Sequence, residues 1–407
     1  MSNSHNWLKS LGGKCRDLIN VIRDIFTGNR GPYGDGDVED LVGNNVNSLN
    51  NNALSDKYLK LKTMYPQIGP LNSYNESIQG DSVIRDFDGM AAVVCRIMPY
   101  PAPTSYFEVH GGIYSAWKAS GGVLGPLGRP VSDEIDYHGP DARSGDRISE
   151  FMNGVVVWRA DTGKTEIRPY LWHDEFEGLN IDASKWSFDI GTGSNGWGNR
   201  ELQYYTDRPQ NAYVTGGVLH ICARKEQCNG SNYTSARLIS KNKFCFKYGM
   251  IEARIALPVG QGIWPAFWML GANSDFEKHP ACGEIDIVEA INSEHVVYGT
   301  THWWCNGHAQ HGKSTKDFYG ASKQIDVTEF HVYRLEWNEK RIAMYVDNFK
   351  YNEISIENSV GGTDAFHKPF YLLLNVAVGG TWPGFVVDDS KFPNEMLVDY
   401  IRVSNLT

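Results

Sequence analysis

The densest chemistry in this 407-residue chain lies in Gly283-Glu-Ile-Asp-Ile-Val-Glu-Ala290. Three carboxylic acids crowd a segment in which every residue between them, Ile285, Ile287 and Val288, is β-branched. Acids are poor strand formers and adjacent like charges destabilise a strand, so the crowding points to a chemical purpose. Read as a strand, the segment sends Glu284 and Asp286 to one side and Ile285 and Ile287 to the other. Strict alternation would then put Glu289 among the apolar side chains, where an unpaired carboxylate is costly. A β-bulge near Ile287-Val288 returns Glu289 to the acidic face. Two carboxyls about 5 to 5.5 Å apart can serve as nucleophile and proton donor at an acetal carbon, cleaving a glycosidic bond with retained configuration. With one residue absorbed in the bulge, the Glu284 and Glu289 backbones stand about 13 Å apart, a gap that two inward-leaning Glu side chains mostly close. Asp286 between them is expected to hydrogen-bond the nucleophile and raise the donor's proton affinity, so that the acids titrate as a cluster.

Aromatic residues accompany the acids. In Gly262-Ile-Trp-Pro-Ala-Phe-Trp-Met-Leu270, strand period places Trp264, Ala266 and Trp268 on one face. Such indoles can cover the apolar C–H faces of sugars in an aromatic-lined cleft. The elements that must carry these side chains are short. From Tyr170 onward, alternating runs recur between Gly, Asn and Asp, as in Val218–Cys222, Gly249–Ile255, Val332–Trp337, Arg341–Val346 and Leu397–Val403. This pattern predicts an all-β fold, a β-jelly-roll sandwich of two antiparallel sheets. Residues 332–346 read as a hairpin turning at Asn338–Lys340, and no substantial helix is expected after residue 170.

Residues 170 to 405 resemble glycoside hydrolase family 16, and within it the laminarinase-like endo-β-1,3-glucanases. The matching stretches are Asp174-Glu-Phe176, Trp197-Gly-Asn-Arg-Glu-Leu-Gln-Tyr-Tyr-Thr206, Ser235-Ala-Arg237, Trp264-Pro-Ala-Phe-Trp-Met-Leu270, Glu284-Ile-Asp-Ile-Val-Glu289, Thr301-His-Trp303, Asn375-Val-Ala-Val-Gly-Gly380 and Val398-Asp-Tyr400, all in the family's order. The resemblance implies a concanavalin A-like sandwich with a cleft on its concave face. It also implies a retaining endo-hydrolase of β-1,3-glucan that works by double displacement through a glycosyl-enzyme intermediate. It assigns Glu284 as nucleophile, Glu289 as general acid/base and Asp286 as their helper. Asn199, Arg237, Trp264, Trp268, His302 and Trp303 would line the donor subsites. A structural calcium is implied on the convex face, held by Glu175, a backbone carbonyl near Gly217 and Asp399; oxygen ligands suit that ion. The chemistry itself is expected to need no cofactor. The acid motif is laminarinase-like, whereas strict mixed-linkage lichenases have one residue fewer between the acids. Hydrolysis of mixed-linkage β-1,3-1,4-glucan or of a galactan, and transglycosylation through the same covalent intermediate, stay open as alternatives. A non-catalytic β-glucan-binding role is disfavoured because both glutamates are present.

Composition bounds the rest. Acidic residues outnumber basic ones, 48 to 38, for a net charge of −10, which argues against nucleic acid as a partner. No run approaches the roughly 18 apolar residues of a membrane span. Seven Cys without metal-ligand spacing indicate neither a zinc site nor a disulfide framework, with Cys222 and Cys228 the one pair that could close a small loop. Residues 1–52 read as an amphipathic helix over 6–26 followed by a Gly/Asn-rich linker. Residues 53–168 read as a Gly-rich accessory module with internal duplication: Gly69-Pro-Leu71 is echoed by Gly125-Pro-Leu127, and Phe87-Asp-Gly89 by Phe151-Met-Asn-Gly154. This module resembles the LGFP repeats of microbial surface proteins, which implies contact with a cell wall or surface. Residues 169–407 form the catalytic segment. A polymeric β-glucan substrate favours a secreted or cell-surface location, yet the first residues lack the basic-then-apolar pattern of a secretion signal, leaving a cytoplasmic one open.

Overall fold

The computed structural model describes residues 51–68, 75–79, 82–87, 89–96, 106–316 and 325–406. The helix expected at 6–26, the linker up to residue 50 and Gly69-Pro-Leu71 lie outside them. The chain divides into two compact units, one running through Tyr137 and including Arg143–Ile167, the other comprising His138–Ala142 and Arg168–Thr407.

In the first unit, helix α1 (Asn51–Met64) precedes strands β1 (Asn75–Gln79), β2 (Ser82–Phe87), β3 (Ala91–Arg96) and β4 (Tyr106–His110), which pair antiparallel in that order. Helix α2 (Gly111–Ala119) and strands β5 (Ile135–Asp136), β6 (Arg147–Phe151) and β7 (Gly154–Trp158) follow. This accessory unit is thus mixed, with two helices beside its strands. Helix α1 starts inside the expected linker and buries Leu61. Helix α2 buries Ile113, Tyr114 and Trp117, one side of a helix at i, i+1 and i+4, and the Trp117 indole donates to the Gly128 carbonyl at 2.8 Å. The echoed Phe motifs do correspond in structure. Each ends a strand with a buried Phe, Phe87 or Phe151, at the turn of a hairpin, β2–β3 or β6–β7.

The second unit is a jelly-roll sandwich. One sheet holds β8 (Thr165–Asp174), β11 (Ala212–Thr215), β12 (Val218–Cys228), β15 (Gly249–Ala256), β20 (His331–Trp337), β21 (Arg341–Val346), β22 (Phe349–Ser355) and β24 (Asn394–Ser404). Its central order is β22-β21-β20-β15-β24, and β24 pairs along one half with β12 and along the other with β8. Short β10 (Gln203–Tyr205) and β13 (Ser231–Ser235) form a parallel pair beside β12. The other sheet runs β19-β18-β17-β16-β23-β14-β9, comprising β9 (Ser187–Phe188), β14 (Arg237–Ile239), β16 (Ile263–Gly271), β17 (Glu284–Glu289), β18 (Tyr298–Trp304), β19 (His308–Ser314) and β23 (Phe370–Val378).

Between the sheets lies one apolar core. The first sheet contributes Leu219, Ile221, Ile251, Tyr333, Leu335 and Ile401, and the second contributes Phe267, Met269, Ile285, Leu372, Leu374 and Val376. Each such side chain stabilises the fold by roughly 1.5 to 3 kcal/mol through burial. The hairpin at 338–340 is present, with the Asn338 amide donating to the Arg341 carbonyl. Cys222 and Cys228 are free thiols. Six residues apart on extended β12, they stand roughly 20 Å from each other, far beyond the span of a disulfide.

Candidate active site

Strand β17 carries the acids, and its pairing with both neighbours shows the bulge. Against β16, Glu284, Ile285 and Asp286 face Leu270, Met269 and Trp268, whereas Val288 and Glu289 face Phe267 and Ala266, so Ile287 is the extra residue. Against β18, the register slips between Asp286 opposite Thr300 and Glu289 opposite Tyr298. Glu284, Asp286 and Glu289 thus share the face of Trp264, Ala266 and Trp268, while Ile285, Ile287 and Val288 all enter the core. A bulge leaves a backbone group unpaired by the ladder. Here the Ile287 carbonyl accepts from the buried Tyr351 hydroxyl on β22. The residue opposite the bulge, Gly299, makes room for that reach. A Cβ there would lie 2.5 Å from Met344 Sδ and 2.6 Å from the Tyr351 ring.

Burial dominates the electrostatics. It pushes the Glu284 carboxyl above its usual range against the opposing pull of His302 and Arg237. Asp286 is pushed well up by burial and then by the charge of Glu284. Glu289 is pushed well up by burial and then by Asp286, while a hydrogen bond from Trp264 Nε1 to Glu289 Oε1 at 2.9 Å favours its ionised form. His302, opposite Glu284 in the ladder, places Nε2 3.3 Å from Asp286 Oδ2 and 4.0 Å from Glu284 Oε1. A carboxyl pushed strongly toward its protonated form, beside one pulled back toward ionisation by Arg237 and His302, matches the division of labour that acid-assisted nucleophilic displacement requires.

The flanking side chains arrange themselves around this row. The Arg237 guanidinium lies 4.7 Å from the ring centroids of both Trp197 and Trp268 and pairs with Asp189 at 3.0 Å. Trp268 Nε1 donates to Asn375 Oδ1 at 2.7 Å, and Trp264 packs edge-on against Trp382 at 5.4 Å. Asn199 donates to Glu201 at 3.1 Å, and Gln203 holds the other oxygen of Glu201 at 2.7 Å. Trp197 has φ 55°, a left-handed backbone that a bulky residue adopts at a strain cost and that recurs near functional sites.

Trp303 requires a correction. It is 8% exposed, belongs to the core, donates Nε1 to the Gly361 carbonyl at 2.9 Å and packs edge-on against Phe366. Alternation is the reason: His302 faces the acids, so its successor faces the core. The structure adds Trp197, Glu201, Asn375 and Trp382 to the residues expected around the acids. The strand alternation that placed Trp264 and Trp268 would have found Asn375, which pairs with both Ala266 and Arg237.

The residues expected to hold calcium are otherwise engaged. Both oxygens of Glu175 accept from Arg402, at 2.9 and 2.8 Å, and Asp399 pairs with Arg254 at 2.6 Å. Gly217 lies in the turn before β12. A calcium ion takes six to eight oxygens. Two carboxylates already neutralised by arginine do not fit it, and no step of the chemistry is routed through the ion.

Comparisons with known proteins agree with this geometry. The family model for glycosyl hydrolases family 16 matches residues 199–402. The clotting factor G alpha subunit of Tachypleus tridentatus is 42% identical over 236 residues, 57% of this chain but 33% of that protein, so the chain spans about a third of that relative. A beta-glucanase of Rhodothermus marinus is 41% identical over 278 residues, 63% of this chain and 94% of its own. The X-ray structure of the laminarinase from Rhodothermus marinus superposes with a TM-score of 0.53 at 40% identity, covering 58% of this chain and 97% of that one.

Proposed function

Because the chain belongs to family 16 of the glycosyl hydrolases, we propose that it is a retaining endo-hydrolase of β-1,3-glucan whose second unit performs the chemistry. The observation that carries this reading is the bulge of β17, which puts Glu284, Asp286 and Glu289 on one face beside paired indoles. In the first step Glu284 attacks the anomeric carbon and the glycosidic C–O bond breaks. The departing oxygen takes the proton of Glu289. In the second step Glu289 accepts a proton from water, the water oxygen bonds to the anomeric carbon, and the Glu284 ester is released. Asp286, whose proton affinity is raised by burial and by Glu284, stands ready to donate toward the nucleophile, with His302 Nε2 3.3 Å from its Oδ2 on the neighbouring strand. Trp264 and Trp268 supply the apolar platform, with Arg237 and Asn199 at its polar edge.

Product analysis on purified β-1,3-glucan, followed by NMR of the first-formed anomer, tests activity, endo action and stereochemistry together. A retained β-anomer and a ladder of oligosaccharides are expected. Glu284→Gln and Glu289→Gln should each lose about 10² to 10⁴ in turnover while remaining folded. More than a tenth of wild-type turnover in either variant, or an inverted first product, overturns the assignment. Mixed-linkage glucan is the second substrate to assay, since the cleft is lined by groups that read sugar faces rather than one linkage.

A further inference from the structure

Beside the nucleophile the structure gathers three imidazoles that the proposed hydrolysis does not fully use. His302 lies on β18 opposite Glu284, His308 on β19 in the same hairpin, and His279 on the loop leading into β17. One ring nitrogen from each lies within 4.8 Å of the other two. His302 Nδ1 and His308 Nε2 are 2.9 Å apart, and the His279 ring centroid is 5.2 Å from that of His308 and 6.0 Å from that of His302. His279 and His308 are exposed and His302 is half-buried.

We propose that His279, His302 and His308 form a binding site for a divalent transition ion of the zinc class, and that its occupancy blocks hydrolysis at Glu284. Zinc binds imidazole nitrogen at about 2.0 to 2.1 Å, so tetrahedral geometry needs ligand nitrogens about 3.4 Å apart. The His302–His308 pair is about half an ångström short of that spacing and no pair exceeds it by more than about 1.4 Å, adjustments within the rotation of two exposed side chains. Three imidazoles select zinc, copper, nickel or cobalt over the oxygen-seeking calcium and magnesium.

The support behind His302 argues for metal rather than a chance meeting of rings. Its Nε2 faces Asp286 Oδ2 at 3.3 Å. A proton held there leaves the lone pair on Nδ1, aimed at His308 and the centre of the cluster. Asp286 Oδ2 is buried with no other hydrogen-bond partner, so a small shift of the imidazole closes this approach to the hydrogen bond by which carboxyl groups orient the histidines of metal sites generally. The ion would replace the proton now shared by His302 and His308. Its fourth position faces Glu284, whose Oε2 is 3.6 Å from His279 Nε2. A dication there draws the Glu284 carboxylate to itself and occupies the path of the anomeric carbon.

The inhibitory consequence rests on the β-glucanase reading, whereas ion binding does not. The test is therefore made first without substrate, on the full-length untagged protein. Cobalt(II) titration followed by visible absorption should show one tetrahedral ion per chain, displaced by zinc. His279→Gln and His308→Gln should each weaken binding at least about tenfold, the lower end of what losing a metal-site contact costs. Zinc near its dissociation constant should then halve laminarin hydrolysis by the wild type and spare His308→Gln, with each protein compared to its own metal-free rate and EDTA restoring activity. Absence of a saturable tetrahedral cobalt spectrum, or unchanged affinity in both variants, overturns the site. Saturating zinc that leaves hydrolysis intact overturns the inhibition. A protein inactive on β-1,3-glucan leaves the cobalt result standing and refutes the substrate reading instead.

Discussion

Trp303→Ala and Trp264→Ala should fail in opposite ways, because the two indoles lie on opposite faces of one sheet. Trp303 is 8% exposed, packs on Phe366 and satisfies the Gly361 carbonyl. Truncating a buried Trp typically costs about 3 to 5 kcal/mol of folding stability. For a domain of 150 to 250 residues each kcal/mol lowers the melting temperature by about 2 to 4 °C, so Trp303→Ala should melt about 6 to 20 °C lower. At 20 °C its folded fraction should keep kcat/KM on laminarin within about threefold of wild type, since no atom facing substrate has been removed. Trp264 lies in the open row and donates to Glu289. Its replacement by Ala should lower kcat/KM by about 5- to 150-fold, the equivalent of about 1 to 3 kcal/mol for one aromatic contact. Its melting temperature should move by only a few degrees. Calorimetry and steady-state kinetics on the same preparations decide the matter. A Trp303→Ala protein that melts like wild type but has lost activity would refute the assignment of faces, and with it the register of β18 against β17.

Other outcomes follow from the same geometry. The pH profile of kcat/KM should be a bell with both limbs above the ordinary carboxylate range. Activity falls at low pH as the raised Glu284 takes a proton and at high pH as the further-raised Glu289 loses its own. Trp264→Phe removes the hydrogen bond that favours ionised Glu289, so its alkaline limb should move to higher pH; movement to lower pH would contradict the contact. Glu289 binds its proton more tightly folded than unfolded, so the stability it contributes is present at low pH and lost as pH rises through its raised value. Glu289→Gln should therefore melt above wild type at alkaline pH and alike near pH 4, as differential scanning calorimetry at the two pH values would show. Tyr351→Phe orphans the bulged Ile287 carbonyl and should cost about 1 to 3 kcal/mol in urea unfolding. Calcium bound at Glu175 and Asp399 would add about 2.7 kcal/mol at a hundred times its Kd. With those carboxylates held by Arg402 and Arg254, millimolar calcium should leave the melting temperature unchanged.

The local pattern of the sequence determined a good deal of this protein. Alternation around Glu284, Asp286 and Glu289 demands a bulge at Ile287-Val288, because the alternative buries an unpaired carboxylate, and the bulge is there. The same period put Trp264 and Trp268 on the acid face, and the turn residues at 338–340 marked their hairpin. Trp303 is legible too, since a neighbour of His302 on the strand must point the other way, into the core. Other features were decided only by tertiary structure. Arg237 between Trp197 and Trp268, Tyr351 beneath the bulge, Gly299 clearing its path, Arg402 on Glu175 and His279 beside His302 all join residues far apart in the chain. Period-two alternation assigns each side chain to a face, but which strands become neighbours, and in what register, is settled by how two sheets close over one core. The helices of the first unit were hidden for a related reason. Gly-Gly before Ile113 reads as a turn in isolation, and the helix is held by what Ile113, Tyr114 and Trp117 bury once the sheet beside them has formed.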